Sequence, residues 1–172
     1  MKAIYFTEFK GTLSVVDIAI PVPTDDGVVI KVEATGLCRS DWHAWMGHDS
    51  DIVLPHVPGH EFAGVISSVG SLVSKFAVGD RVTVPFVCGC GKCTYCLRGD
   101  AQVCPTQTQP GFTGFGSFAE YVAIDNADFN LINIPSEVSF ATAAALGCRF
   151  ATAYRGLIKR AKLMDGEKVV IY

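Results

Sequence analysis

Short stretches of alternating apolar and polar residues dominate the chain up to Pro135. In residues 29–34, for example, Ile30 and Val32 alternate with Lys31 and Glu33, as expected of a strand with one buried face. Similar stretches bounded by turn residues predict strands at residues 2–6, 13–20, 62–69, 81–86, 118–124 and 129–134. Many short strands separated by glycine-rich turns indicate a barrel or a sandwich rather than a parallel sheet.

The periodicity becomes helical after Pro135. Residues 140–146 are rich in alanine and predict a helix, with Ser139 as its N-cap. A second predicted helix has apolar residues at helical spacing, namely Phe150, Ala153, Tyr154, Leu157, Ile158 and Ala161. Its cations predict a solvated face and suit the helix C-terminus, and they are Arg155, Lys159, Arg160 and Lys162. Residues 168–172 form an apolar run typical of a strand. We predict two units, residues 1–138 and residues 139–172.

The composition narrows the class of protein. With 49% hydrophobic and 18% charged residues among 172, the chain can bury a core, which excludes intrinsic disorder. A net charge of −3 argues against nucleic acid or an anionic membrane as the partner. No run of about 18 apolar residues predicts a membrane span, and the N-terminus lacks the pattern of a signal peptide. These features predict a cytoplasmic protein.

Seven cysteines are present, and four of them form a C-x2-C-x2-C-x7-C pattern made by Cys90, Cys93, Cys96 and Cys104. Without a signal peptide, such a cluster indicates a metal site or thiol chemistry rather than disulfides. Four thiolates fill the tetrahedral sphere of zinc and leave no open position, so the site is predicted to be structural. Free thiols or a redox pair are less consistent with the pattern, and its spacing differs from that of ferredoxin iron–sulfur clusters. Cys88 remains as a spare, half-buried thiol.

Three further segments each place a zinc-capable side chain beside a glycine or a turn; they contain Cys38, His60 and Cys148. Taken singly, a cysteine is usually a small hydrophobic residue and a histidine a satisfied polar group. His48 and His56, in the loop between two of these segments, are predicted to be surface residues. For Trp42, Trp45 and Met46, the sequence leaves open whether they line a substrate mouth or pack in a core or loop.

Taken together, these segments resemble the zinc-dependent medium-chain alcohol dehydrogenases. The resemblance rests on Cys38, residues 59–64 (G-H-E-F-A-G), residues 78–82 (V-G-D-R-V), the cysteine loop, residues 116–122 (G-S-F-A-E-Y-V) and residues 147–154 (G-C-R-F-A-T-A-Y). It extends over essentially the whole chain, in the family's order. It implies a mainly β fold, in which a GroES-like, partly open β-barrel with a few helices is followed by the first helix and strand of a Rossmann-type domain.

The resemblance also implies roles for individual residues. Cys38, His60 and Cys148 are expected to hold a catalytic zinc with one open position, and the four-cysteine loop a second, structural zinc. Ser40 and His43 are expected to relay the proton of an alcohol, and Asp41 to orient His60. Glu61 is the nearby carboxylate that approaches zinc transiently. The remaining expected roles are cofactor contacts for Arg39 and Thr152, and a wall of the substrate cleft for Phe86.

The expected activity is oxidation of a small alcohol to an aldehyde or ketone, with hydride transfer to NAD or NADP, in a protein that is a homo-oligomer at full length. Residues 114–119 match G-x-G-x-x-A but lead into a predicted strand, so we interpret them as a turn. These 172 residues therefore contain no Rossmann glycine loop, and we expect the chain alone to be inactive. The alternatives are a zinc-free quinone or enoyl reductase of the same superfamily and a non-enzymatic structural zinc module.

Overall fold

The computed structural model describes residues 1–171 of the protein. Its strands are β1 (Lys2–Tyr5), β2 (Ser14–Asp17), β3 (Val28–Gly36), β4 (Glu61–Val69), β5 (Arg81–Thr83), β6 (Tyr121–Ile124) and β7 (Ile132–Asn133). Its α-helices are α1 (Arg39–Trp45), α2 (Thr94–Leu97), α3 (Ala127–Asn130), α4 (Phe140–Ala144) and α5 (Ala151–Tyr154). Within the described range, no helix has the length and apolar character required to cross a bilayer.

Five strands form an antiparallel sheet in the order β6-β3-β4-β5-β7. β3 and β4 are its longest strands, and shifts in their pairing register near Val29 and Val32 are irregularities of the kind that bend a sheet. β1 and β2 form a separate hairpin, which joins the segment before β6 through a bridge between Ala3 and Ala119. The chain is thus mainly β, with a curved sheet around its core.

The core lies against both faces of the β3–β4 pair. Val28, Ile30, Phe62 and Ile66 are fully buried in the main cluster, together with residues of β5, β6 and α3. On the opposite side, Ala143 and Ala144 of α4 pack with Ala63 and Ile134. The small alanine side chains let α4 approach the sheet closely, and this packing holds the segment that follows α4 against the barrel.

Residues 146–160 form a helical segment in which the π-helical turns Leu146–Phe150 and Arg155–Arg160 flank α5. α4 begins after Ser139 as predicted, because the Ser139 hydroxyl accepts a hydrogen bond from the Thr142 N–H at 3.1 Å. The predicted solvated face is wrong for Arg155, which is half-buried and donates to Asp100 in the cysteine loop at 2.7 Å. This ion pair connects the helical segment to the loop.

The predicted strands are confirmed for β1 to β6, although β2, β5 and β6 are shorter than expected. The strand expected at residues 129–134 is wrong in its first half, where the chain forms α3 and only the two-residue β7 follows. Asn130 causes this difference, since its side-chain amide donates to the Asp125 and Asn126 carbonyls and stabilises a helical turn.

The strand expected at residues 168–172 is also wrong for residues 168–171, which lie outside regular structure; Tyr172 lies outside the described residues. Val169, Val170 and Ile171 are exposed. A strand is stabilised by its ladder of hydrogen bonds to a neighbouring strand, and none of the strands among residues 1–171 pairs with this segment.

Candidate metal centre and active-site cleft

The pairing of β3 with β4 brings two of the candidate ligands together. Gly36 at the end of β3 lies opposite Glu61 at the start of β4, so Cys38 and His60 flank the same end of the strand pair. The π-helical turn after α4 adds Cys148. The ligand atoms of Cys38, His60 and Cys148, and a carboxylate oxygen of Glu61, all lie within 4.8 Å of one another.

Asp41 connects the two segments that carry Cys38 and His60. Its Oδ2 accepts from the Cys38 N–H at 2.8 Å, and its Oδ1 accepts from the Gly59 N–H at 3.1 Å. Asp41 Oδ1 also lies 3.1 Å from His60 Nδ1. Gly59 adopts a φ of +104°, where a Cβ would stand 2.6 Å from the Phe118 backbone nitrogen, so only glycine fits this turn. These contacts place Asp41 beside the His60 ring, and its role in orienting that imidazole stays a prediction.

His60 is fully buried, and its Nε2 has no hydrogen-bond partner among residues 1–171. Burial by itself disfavours the imidazolium, but the Asp41 carboxylate and the Cys148 and Cys38 thiols raise the pKa of His60 to about 10. The unpartnered His60 nitrogen and the two neighbouring thiols together form a donor set that fits zinc. Zinc binds neutral imidazole and thiolate in tetrahedral geometry.

A cleft of about 600 Å³ opens at these residues. It contains most of the predicted site, and its lining includes Cys38, Ser40, His43, His60, Phe86, Cys148 and Thr152. Ser40 and His43 are three positions apart in α1 and therefore share a helix face. Phe112 and Gln109 also line the cleft and were not singled out from the sequence; the ring centroid of Phe112 lies 5.2 Å from that of His60.

His43 has a partner that sequence reasoning missed. His48 is exposed, as predicted, but its Nδ1 lies 2.9 Å from the Nδ1 of His43. One of these nitrogens must donate and the other accept, so one hydrogen bond joins the two rings. The spacing of five residues is not a helical contact, because the chain turns at Gly47 after α1, and this explains why the pattern gave no signal.

His56 is not a surface residue, contrary to the expectation. It is 2% exposed, packs against Phe6 and Phe115, and its Nε2 lies 2.9 Å from the Gly111 carbonyl oxygen. The bridge between Phe6 and His56 draws this loop into the fold.

The aromatic residues of α1 separate into two environments. The Trp45 indole donates to the Gly11 carbonyl at 2.8 Å and packs in a cluster with Phe6, so Trp45 belongs to the core. Trp42 is exposed and stacks under the Arg39 guanidinium at 4.3 Å. Arg39 is absent from the lining of the cleft within the described part of the chain, and its role towards a cofactor stays a prediction.

The four cysteines of the loop form a second cluster. Their sulfur atoms lie within 4.8 Å of one another, with Cys90 and Cys96 at 4.0 Å and Cys93 and Cys104 at 3.8 Å. Bonds of about 2.3 Å to a tetrahedral zinc place sulfurs about 3.8 Å apart, so the cluster fits that ion. Hydrogen bonds from backbone N–H groups lower the pKa of Cys90 to about 6, while burial raises that of Cys96 to about 11.

Cys88 lies outside both clusters. It is buried in the main core, and burial raises its pKa to about 12, so it remains a thiol at neutral pH. The sequence correctly separates it from the four clustered cysteines, although it is more deeply buried than expected.

The antiparallel sheet and the elements packed on it have the architecture of a GroES-like domain. Residues 24–136 match the alcohol dehydrogenase GroES-like domain family, and the chain belongs to that family.

Individual relatives agree with this assignment. The chain is 38% identical to an alcohol dehydrogenase of Geobacillus stearothermophilus, over 100% of this chain and 51% of that protein. It is 39% identical to one from Moraxella sp. (strain TAE123), over 99% of this chain and 50% of that protein. A crystal structure of an NAD-dependent alcohol dehydrogenase superposes with a TM-score of 0.88 at 33% identity, over 97% and 49% of the two chains. The chain therefore spans about half the length of these relatives.

Proposed function

We propose that this chain is the metal-binding, catalytic part of a zinc-dependent alcohol dehydrogenase, which oxidises an alcohol to an aldehyde or ketone and transfers the hydride to NAD or NADP. The observation that carries the proposal is the buried His60 Nε2, which has no hydrogen-bond partner in the described chain and belongs to one cluster with the Cys38 and Cys148 thiols. Three such donors hold zinc and leave one position for a substrate oxygen. The solved relative that is named NAD-dependent supports the choice of cofactor.

Zinc bound there would act as a Lewis acid that makes the proton of an alcohol easier to lose. Ser40 accepts that proton as its own hydroxyl proton leaves towards His43, on the same face of α1, and the contact of His43 with His48 leads on towards solvent. Asp41 keeps the His60 ring in its orientation. Phe86 forms an apolar wall of the cleft and excludes water from the reacting carbon.

Cofactor contacts are assigned to the remaining predicted residues. Thr152 lines the cleft and meets the nicotinamide end, while Arg39 is exposed and meets the pyrophosphate. The four-cysteine cluster holds a structural zinc. We also place the boundary between the two units after residue 138. The full-length protein is proposed to be a homo-oligomer, and these 172 residues alone are expected to turn over substrate weakly or not at all.

The test is the zinc content of the purified chain, measured by elemental analysis. We expect two equivalents in the wild type and one after Cys148→Ala, because removing one of three ligands from an open site abolishes tight binding. Cys93→Ala is expected to lose the other equivalent. Cys88→Ala is the matched control, since Cys88 lies in neither cluster, and it should retain both. An unchanged zinc content in Cys148→Ala would overturn the assignment of the third ligand.

The same measurement separates the alternatives. A structural zinc module would contain one equivalent, which Cys93→Ala would remove, whereas a zinc-free reductase would contain none. The close convergence of Cys38, His60 and Cys148 favours the zinc-dependent enzyme over both.

A further inference from the structure

Glu61 is a second buried acid beside the candidate catalytic zinc site. Its side chain is fully buried at the start of β4, and one of its oxygens belongs to the same cluster as the donor atoms of Cys38, His60 and Cys148. A carboxylate in this place is itself a zinc ligand of ordinary type. If it bound the ion, it would occupy the position that a substrate oxygen needs.

Arg149 engages both oxygens of this carboxylate. Its Nε donates to Glu61 Oε1 at 3.0 Å, and its Nη2 donates to Glu61 Oε2. The backbone N–H of Arg149 points to Oε1 at 3.4 Å, and Nη2 also donates to the Leu37 carbonyl at 3.0 Å. Charge-assisted, bidentate pairs of this kind are strong and directional, so the carboxylate is fixed from two sides.

The charges around the site give this contact its importance. Two thiolates balance the charge of a zinc ion, and an additional unpaired carboxylate would make the centre negative and less electrophilic. The guanidinium of Arg149 offsets that carboxylate. Arg149 also directly follows Cys148, so the same helical turn positions the candidate third ligand and the group that restrains Glu61.

We propose that Arg149 is a positioning residue that holds the Glu61 carboxylate back from the metal and so keeps the fourth coordination position free for substrate. The proposal rests on the function proposed above. Arg149 also lines the cleft, but the control over coordination number assigned to it is exerted through Glu61.

The test uses the chain loaded with cobalt(II), whose visible spectrum reports ligand number, and imidazole as a small probe of the open position. Subtracting the spectrum of Cys148→Ala removes the contribution of the four-cysteine site. We expect imidazole to shift the wild-type spectrum. In Arg149→Gln we expect its apparent Kd to rise about tenfold or more, which corresponds to losing one charge-assisted hydrogen bond that restrains Glu61.

Two further variants identify the route of the effect. Glu61→Gln/Arg149→Gln should restore imidazole binding to the wild-type level, because the neutral amide no longer competes for the ion. Arg149→Lys keeps the charge but loses the bidentate fork, so it should fold even if Arg149→Gln does not, and it should weaken imidazole binding by a smaller factor. Arg160→Gln is the matched control, because Arg160 is exposed and its nearest carboxylate is that of Asp100, not Glu61.

The outcomes are distinguishable. Wild-type imidazole affinity in Arg149→Gln and Arg149→Lys would overturn the proposal while leaving the zinc site intact. Failure of the double variant to restore binding would also overturn it, since Arg149 would then not act through Glu61. If the cobalt spectra of the wild type and Cys148→Ala were identical, this proposal and the proposed function would both be overturned.

Discussion

The four histidines show how strongly local surroundings change one residue type. His43 and His48 are exposed and face each other across 2.9 Å. His60 is buried beside Asp41 and two thiols, and its pKa rises to about 10. His56 is also buried, and among residues 1–171 its side chain has the Gly111 carbonyl as its one polar contact, so burial lowers its pKa below the ordinary value of 6.5. Their surroundings therefore shift the pKa values of His56 and His60 in opposite directions.

His56 predicts a dependence of stability on pH. As the pH falls below about 6.5, the unfolded chain takes up a proton at His56 before the folded chain does, so the stability that neutral His56 contributes at higher pH is lost. We expect the difference in unfolding free energy between wild type and His56→Gln to be constant above about pH 7.5 and to shrink towards about pH 5.5.

Denaturant titrations at several pH values measure this difference. Every other group titrates in both proteins, so the subtraction isolates His56. A difference that stays constant over the whole pH range would contradict the assigned direction of the His56 pKa shift.

At the scale of elements, the Asn130 side chain of α3 connects the cysteine loop to the barrel. Asn130 accepts from the Gly89 N–H at 2.9 Å and donates to the Gly89 carbonyl at 3.0 Å, both in a buried setting. The Arg155–Asp100 ion pair and this amide thus connect the loop to the rest of the chain at two separate points.

Asn130→Ala should lower the unfolding free energy by about 2 to 4 kcal/mol, because the buried backbone groups of Gly89 lose their partners. Zinc bound by the four cysteines should also be lost to a chelator faster. Asn133→Ala is the control, since Asn133 is exposed in β7. Denaturant unfolding of the zinc-loaded chain measures the first effect, and an equal loss in the two variants would refute the anchoring role.

At the scale of the whole molecule, the segment after α4 presents apolar side chains to solvent. Phe150, Tyr154, Leu157 and Ile158 are between 38% and 55% exposed. Exposed apolar faces of this kind favour association between molecules.

We therefore expect the chain to self-associate as its concentration rises, and Leu157→Glu/Ile158→Glu to reduce this association without changing the zinc content. Sedimentation velocity at increasing concentration measures the effect. Val22→Glu provides a control at an exposed apolar residue elsewhere, since Val22 is 84% exposed and precedes β3. Unaltered association of the double variant would show that this helical face is not responsible.

The fold was predictable from the sequence wherever the signal was local. Strand alternation in β3, the Ser139 N-cap and the close spacing of Cys90, Cys93 and Cys96 depend on residues near one another, so they can be recognised from the pattern. The candidate ligands Cys38, His60 and Cys148 were selected through resemblance to a family, and their roles as ligands stay predictions.

Contacts between residues that are distant along the chain were decided only by the tertiary structure. The burial of His56 and the contact between Arg149 and Glu61 arise from strand pairing and from the docking of α4, which no local pattern encodes. The sequence by itself determined most of the strands, the helix after Ser139 and which residue types are available for chemistry. The tertiary structure determined which of those side chains meet, because burial and pairing depend on the whole sheet rather than on neighbours along the chain.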